Sequence, residues 1–195
     1  MDGIFTLPYS EFEIVNIFQD KFKKSSGYSL YIPVSRQEKG VDFILFNSKI
    51  KSVKSFQVKS SRAYIHETKI KKNGELKPPK YRYHLWLNNF KRRYSQGLAD
   101  FYLIFGLYPA YDKSKSMTSD FYKTMILCFT DKEMGDLLDQ VKTKKEGKED
   151  RFFSFSFNLP EKIFGTRGFV SETDFSRHIL ENQIETIKNA MNNEN

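Results

Sequence analysis

Gln57 and Lys59 stand two apart in Phe56-Gln57-Val58-Lys59-Ser60-Ser61, and Asp42 lies upstream in Gly40-Val41-Asp42-Phe43-Ile44-Leu45-Phe46. On an extended strand Gln57 and Lys59 share one face, while Phe56 and Val58 turn to the other and into a core. Asp42 sits in an otherwise apolar run. Burying a carboxylate there costs several kcal/mol unless a cation, a metal or hydrogen-bond donors meet it. Two neighbouring strands would therefore present an acid, an amide oxygen and an ammonium together. Such a set can bind a divalent ion, or it can close on itself as an Asp42–Lys59 ion pair.

The surrounding elements must hold these three groups. Ser10 can cap a helix over residues 11 to 24, whose Ile14, Val15, Phe18 and Phe22 form an apolar stripe with Phe12 and Ile17 at its margins. Glu11 falls near the middle of that stripe, and Glu13 points away. A strand over residues 28 to 34 follows, and Gly40 opens the Asp42 strand, apolar on both faces and suited to a sheet centre. Asn47-Ser48-Lys49 turns the chain back into the Gln57–Lys59 strand. Residues 66 to 80 form a polar, basic excursion, with Asn73-Gly74 and Pro78-Pro79 as its breaks. Strands are predicted at 81–87, 99–108, 122–129 and 151–157, a short basic helix at 89–97, and a helix over 131–141. A last helix begins at Ser171 or Asp174, with Phe175, Ile179, Ile184, Ile187 and Met191 on one side, either covering the core or joining a dimer seam. This reads as an α/β protein, a mixed central β-sheet flanked by helices. One domain spans residues 1 to 195, with its core at about 8 to 130 and residues 151 to 193 as an extension.

The order of acid-bearing helix, strand, Asp strand and Gln-x-Lys strand resembles the PD-(D/E)xK nuclease superfamily, with its restriction-endonuclease-like fold. The resemblance covers roughly the first 110 residues. It implies that Asp42 ligates a divalent metal, Mg²⁺ or Mn²⁺, that Gln57 holds the second ligand position, and that Lys59 is the catalytic lysine. A glutamate on the first helix often completes the metal shell in this superfamily, which implies that role for Glu11; acids also favour a first helical turn for its dipole alone. Two positions depart from the signature. Val41 stands where proline is usual, and Gln57 replaces an acid, which removes a negative charge from a hard-cation site.

Charge supports a polyanionic partner. Residues 49 to 93 carry 14 Lys and Arg against 2 acids, a local +12, while the rest of the chain, 18 basic against 22 acidic, is −4. Arg62, Lys69, Lys71, Lys72, Arg82, Lys91, Arg92 and Arg93 are thus candidate nucleic-acid contacts. Aromatic residues among them, in Tyr81-Arg82-Tyr83-His84-Leu85-Trp86-Leu87, can stack on bases or pack as ordinary core.

DNA is the expected partner, with RNA the alternative. The expected activity is metal-dependent endonuclease cleavage of phosphodiester bonds, and cutting both strands implies a symmetric dimer. A catalytically silent nucleic-acid-binding module of the same fold is the alternative function. A further reading is a structural Asp42–Lys59 pair in a protein whose basic surface meets an acidic one.

Composition narrows the rest. The chain has 195 residues, 19 Phe and 11 Tyr, and one cysteine, Cys128, in an apolar run; it forms no internal disulfide and no Cys-cluster zinc site. No cationic and apolar leader and no long apolar span occurs, so the expected setting is the cytoplasm, away from membranes. Glycine-rich phosphate loops, a Gly-x-Ser-x-Gly elbow and a His-Glu-x-x-His pair are lacking. His66, His84 and His178 are far apart in sequence and read as surface or packing residues. Gly165-Thr166-Arg167-Gly168 reads as a turn, and Asp100 as a turn residue outside the catalytic set.

Overall fold

In the computed structural model, residues 9–33, 40–66, 69–70, 74–88, 90–109, 122–141, 143–145, 148–149 and 152–192 are described. Helix α1 (Tyr9–Lys21) precedes an antiparallel meander of β1 (Tyr28–Tyr31), β2 (Phe43–Asn47) and the long β3 (Ser52–Ile65). A small pair, β4 (Lys69–Ile70) with β5 (Leu76–Lys77), comes next, then β6 (Tyr83–Asn88) and the one-turn α2 (Phe90–Arg93). Strand β7 (Phe101–Pro109) lies parallel to β3, from Phe56↔Phe101 to Arg62↔Leu107, and β8 (Tyr122–Thr130) pairs antiparallel with β7. After α3 (Asp131–Asp139) come the short pair β9 (Thr143–Lys145) and β10 (Lys148–Glu149), then β11 (Phe152–Phe157), β12 (Ile163–Gly165), β13 (Thr173–Asp174) and α4 (Leu180–Asn192). The described residues form a mixed α/β fold with a large, mostly antiparallel sheet and three helices longer than one turn.

Strand β3 organises the sheet because it serves two sets of partners. Ser52 to Phe56 pair with β2 and Phe56 to Arg62 with β7, so Phe56 stands between the two. The end of β3, Ala63 to Ile65, pairs with β6, which leads on through β11 and β12 to β13. Residues 57 to 62 are laddered to β7 alone.

Two cores follow from this division. On one face, α1 and α4 cover Phe43, Leu45, Phe56, Val58, Phe101 and Leu103. Rings from three adjacent strands stack there: Phe56 lies 4.7 Å from Phe43 and 5.2 Å from Phe101, and Phe18 of α1 meets Phe43 and Phe56 edge-on at 5.1 and 5.0 Å. On the other face, β6, β11, β12 and α3 enclose Tyr102, Ile104, Leu127 and Phe129. Gly106 permits that closure, since a Cβ there would lie 3.1 Å from Leu85 of β6. The C-terminal strand and helix thus supply walls of both cores.

Several expectations change in detail. Ser10 lies inside the first turn of α1, not ahead of it. The final helix starts at Leu180, because Asp174 instead accepts hydrogen bonds from the N–H of Ser176 at 2.8 Å and its hydroxyl at 2.5 Å, closing a 3₁₀ turn. Phe175 and Ile179 consequently pack with the Phe155 cluster. Leu180, Ile184, Ile187 and Met191 form the stripe that α4 buries against the sheet, so the helix covers the core. Cys128 is buried, and burial raises its thiol pKa, with the Glu133 charge adding to the effect. Among the described residues, no helix is long and apolar enough to cross a membrane.

Candidate active site

Asp42 immediately precedes β2 and is placed by its backbone and its side chain together. Gly40, two residues earlier, has φ +105°, which favours glycine, and a Cβ there would lie 3.1 Å from Leu98. The Asp42 N–H donates to Phe56 O at 2.8 Å, and its carboxylate Oδ2 accepts from Val58 N–H at 2.6 Å. These two bonds flank Gln57. Continuing the Phe43↔Phe56 register puts Asp42 opposite Gln57, on the same face of the sheet. The carboxylate therefore takes over where the β2 ladder ends, which meets the requirement that a half-buried acid find donors.

Gln57 is 6% exposed, and its Oε1 is buried without a hydrogen-bond donor from the protein. An orphaned carbonyl oxygen is costly, and a cation or an ordered water is what such a group ordinarily meets. Its neighbour across the parallel ladder is Tyr102, whose hydroxyl is pushed up to about 12 by burial and the Asp131 charge, so it is a neutral phenol at physiological pH.

Lys59, one pleat further along, is half-buried, and its Nζ lies 5.9 Å from the Phe90 ring centroid. Burial lowers its pKa. Asp42 opposes that shift, Arg93 reinforces it and Glu11 opposes it. The sequence-nominated Asp42, Lys59 and Glu11 thus share one electrostatic neighbourhood with Arg93. Glu11 is 8% exposed, in the first turn of α1, and Glu13 is more exposed, as the helical stripe predicts. Asp42, Glu11 and Gln57 each carry the kind of oxygen donor that a hard cation takes. Among the described residues, no three or more His, Cys, Asp or Glu side chains form a group that could hold a metal.

The basic field divides. Arg93 lies near Lys59, and Lys91 beside it in α2 is half-exposed. Arg62 and Arg82 are exposed. Lys54 leaves the field altogether: it is 6% exposed and ion-pairs with Asp100 at 3.7 Å. Asp100 also accepts from the N–H and hydroxyl of Ser55 at 2.7 and 2.6 Å, so it clamps β3 to the start of β7. Lys80 is held by Glu172 at 2.6 Å. Lys71 and Lys72 lie outside the described residues, as do the side chains of Lys69 and Arg92.

The three histidines are surface and packing residues, as expected, but two of them meet. His66 and His84 are neighbours, with ring centroids 3.9 Å apart, because His66 N–H donates to Arg82 O and the strands run antiparallel. Burial lowers the His84 pKa, and the charge on His66 adds to that shift. His178 is buried against Phe129 and Cys128 O, a packing residue as expected. Arg167 stands in the turn after β12, as its sequence suggests, but the position of its guanidinium 5.0 Å over the Trp86 ring is announced by no periodicity. No protein-family model, curated protein or solved structure matches the chain.

Proposed function

We propose that this protein is a divalent-metal-dependent DNA endonuclease with a restriction-endonuclease-like core. The observation that carries the reading is the grouping around Lys59, in which Asp42 and Glu11 both bear on the ammonium and a donorless amide oxygen, that of Gln57, lies one pleat away. The sequence of elements supports it: a helix, a three-strand antiparallel meander, a crossover and a strand parallel to the third. Asp42 and Gln57, with Glu11, would hold Mg²⁺ or Mn²⁺. A bound divalent ion supplies activation of the attacking water and neutralises charge at the phosphate.

The chain's own groups have distinct tasks. The Val58 N–H fixes the Asp42 carboxylate, so that its orientation is set before any ligand arrives. The Lys59 ammonium stabilises the negative charge that develops on the phosphate oxygens. Arg93 and Lys91 would neutralise the backbone beside the scissile bond, and the exposed Arg62 and Arg82 would hold it further out. Cutting both strands calls for two copies around a two-fold axis.

The lowered pKa of Lys59 has a sign that can be tested. If the charged form is the active one, activity falls as pH rises through that pKa, so the alkaline limb of the rate profile lies below the ordinary lysine value of 10.5. A limb at or above that value would argue against a catalytic Lys59.

Gln57 offers a separate check. Gln57→Glu adds a carboxylate beside Asp42 and, in EDTA, lowers stability by roughly 1–3 kcal/mol. Mg²⁺ restores the melting temperature and binds the variant more tightly than the wild type. Equal melting with and without Mg²⁺ would place the cation elsewhere.

The direct assay incubates supercoiled and linear DNA with the protein in Mg²⁺ or Mn²⁺. Nicked or linear products that vanish in EDTA are expected. Salt-sensitive binding without cleavage would favour the silent module, the reading consistent with an amide in place of the signature acid.

A further inference from the structure

We infer that the outer face of β3 and β6 is a stacking platform for unpaired nucleic-acid bases, built on Tyr64 and Trp86. The antiparallel register Ala63↔Leu85 and Tyr64↔His84 sets two rows side by side, Arg62, Tyr64 and His66 on one strand and Trp86, His84 and Arg82 on the other. The alternate residues Tyr83, Leu85 and Leu87 are buried in the core beneath, so these six point away from it.

The face is aromatic and cationic together. Tyr64 is 61% exposed and meets Trp86 edge-on at 6.1 Å, and Arg167 covers the Trp86 ring at 5.0 Å. Exposed Arg62 and Arg82 stand at the two ends. Beside Trp86 and His84 on the same face runs a buried polar row: Ser154 and Ser156 are their partners across the strand pair, Ser156 hydrogen-bonds His84 Nδ1 at 2.7 Å and Thr166 Oγ1 at 2.6 Å, and Ser154 meets Thr166 at 3.0 Å. That network holds the His84 ring and braces the strands, so the platform is ordered before anything binds. At the His66–His84 end the surface runs into a cavity of about 380 Å³, lined also by Tyr81, Pro78 and Pro79.

Charge and exposure together choose the occupant. Arginines flanking the exposed Tyr64 ring and the half-buried Trp86 suit a polyanion that offers flat faces, and bases stacking on aromatic side chains of a sheet contribute about tenfold or more in affinity each. A duplex presents phosphates to Arg62 and Arg82 but keeps its base faces stacked, so the ligand is a single strand. This inference rests on the reading of the chain as acting on nucleic acid, not on Lys59 being catalytic.

The one tryptophan of the chain makes the test site-specific. Fluorescence of Trp86 is followed in EDTA while oligo-dT, an abasic oligomer of the same length, or duplex DNA is added, with anisotropy of labelled DNA as an independent measure of binding. Expected are quenching by oligo-dT, and about tenfold weaker binding for the abasic oligomer and for Tyr64→Ala. Circular dichroism checks that Tyr64→Ala, a change at an exposed position, keeps the fold. Binding of oligo-dT without quenching, or equal affinity for oligo-dT and its abasic counterpart, would overturn the platform and leave the endonuclease reading standing. Quenching without any cleavage in Mg²⁺ would do the reverse. No binding of either nucleic acid at low salt would overturn both.

Discussion

Lys59→Ala is expected to lower the proposed DNA cleavage by about 10²- to 10³-fold, the loss seen when one preorganised charge-stabilising donor is removed from an active site. The size of the effect follows from where the ammonium sits. It is half-buried against Phe90, so water screens it poorly, and Asp42 and Glu11 help keep it charged against its own burial. Alanine leaves those two carboxylates without their neighbouring cation, yet it changes few phosphate contacts. DNA affinity is therefore expected to move by only a few-fold. Single-turnover cleavage and equilibrium binding, measured side by side, separate the two effects. Lys59→Arg keeps the charge but substitutes a broad planar fork for a compact ammonium, and a partial rescue would show that position matters as well as charge. A loss smaller than tenfold in Lys59→Ala would remove the residue from the mechanism.

Phe56→Ala is the counterpart for stability. The ring is fully buried and stacked between Phe43 and Phe101, with Phe18 closing the third side. Deleting it opens a cavity walled by rigid rings, which cannot collapse to fill the space, and the expected cost is about 3–5 kcal/mol. Against a total stability of roughly 5–15 kcal/mol for a typical domain, that is a large fraction. Urea unfolding should show a much lower midpoint with a similar slope. Since Phe56 is the residue before Gln57, and its carbonyl receives the Asp42 N–H, the same change loosens the site. An unchanged midpoint would mean that the ring stack does not hold β2, β3 and β7 together.

The local part of the site was legible because strand alternation is a property of a few consecutive residues. Phe56 and Val58 enter the core beneath α1 and α4, and Gln57 and Lys59 take the other face, as their spacing requires. Helical spacing likewise turned Glu11 inward and Glu13 outward. What depends on register between distant strands was not legible. His66 and His84 meet because the end of β3 pairs with β6, and a chain read in order shows only their separation. Lys54 counted as part of the basic field, but Leu45↔Lys54 pairing carries it into the sheet, next to Asp100. Local signals also misled where two structures could use them. Ser171 and Asp174 look like a helix start, but the Asp174 carboxylate accepts from Ser176 ahead of a single 3₁₀ turn, and Phe175 between them enters the second core.

The most direct test of the account compares wild type with Asp42→Ala on supercoiled DNA in Mg²⁺. Asp42 ties the proposed ligand set to the backbone of β3 through Val58, so its loss would remove an oxygen donor and the group that orders the strand beside Gln57. Nicked and linear DNA are expected from the wild type, none above background from Asp42→Ala, and both proteins should retain DNA binding. Cleavage by Asp42→Ala at the wild-type rate would contradict the proposal.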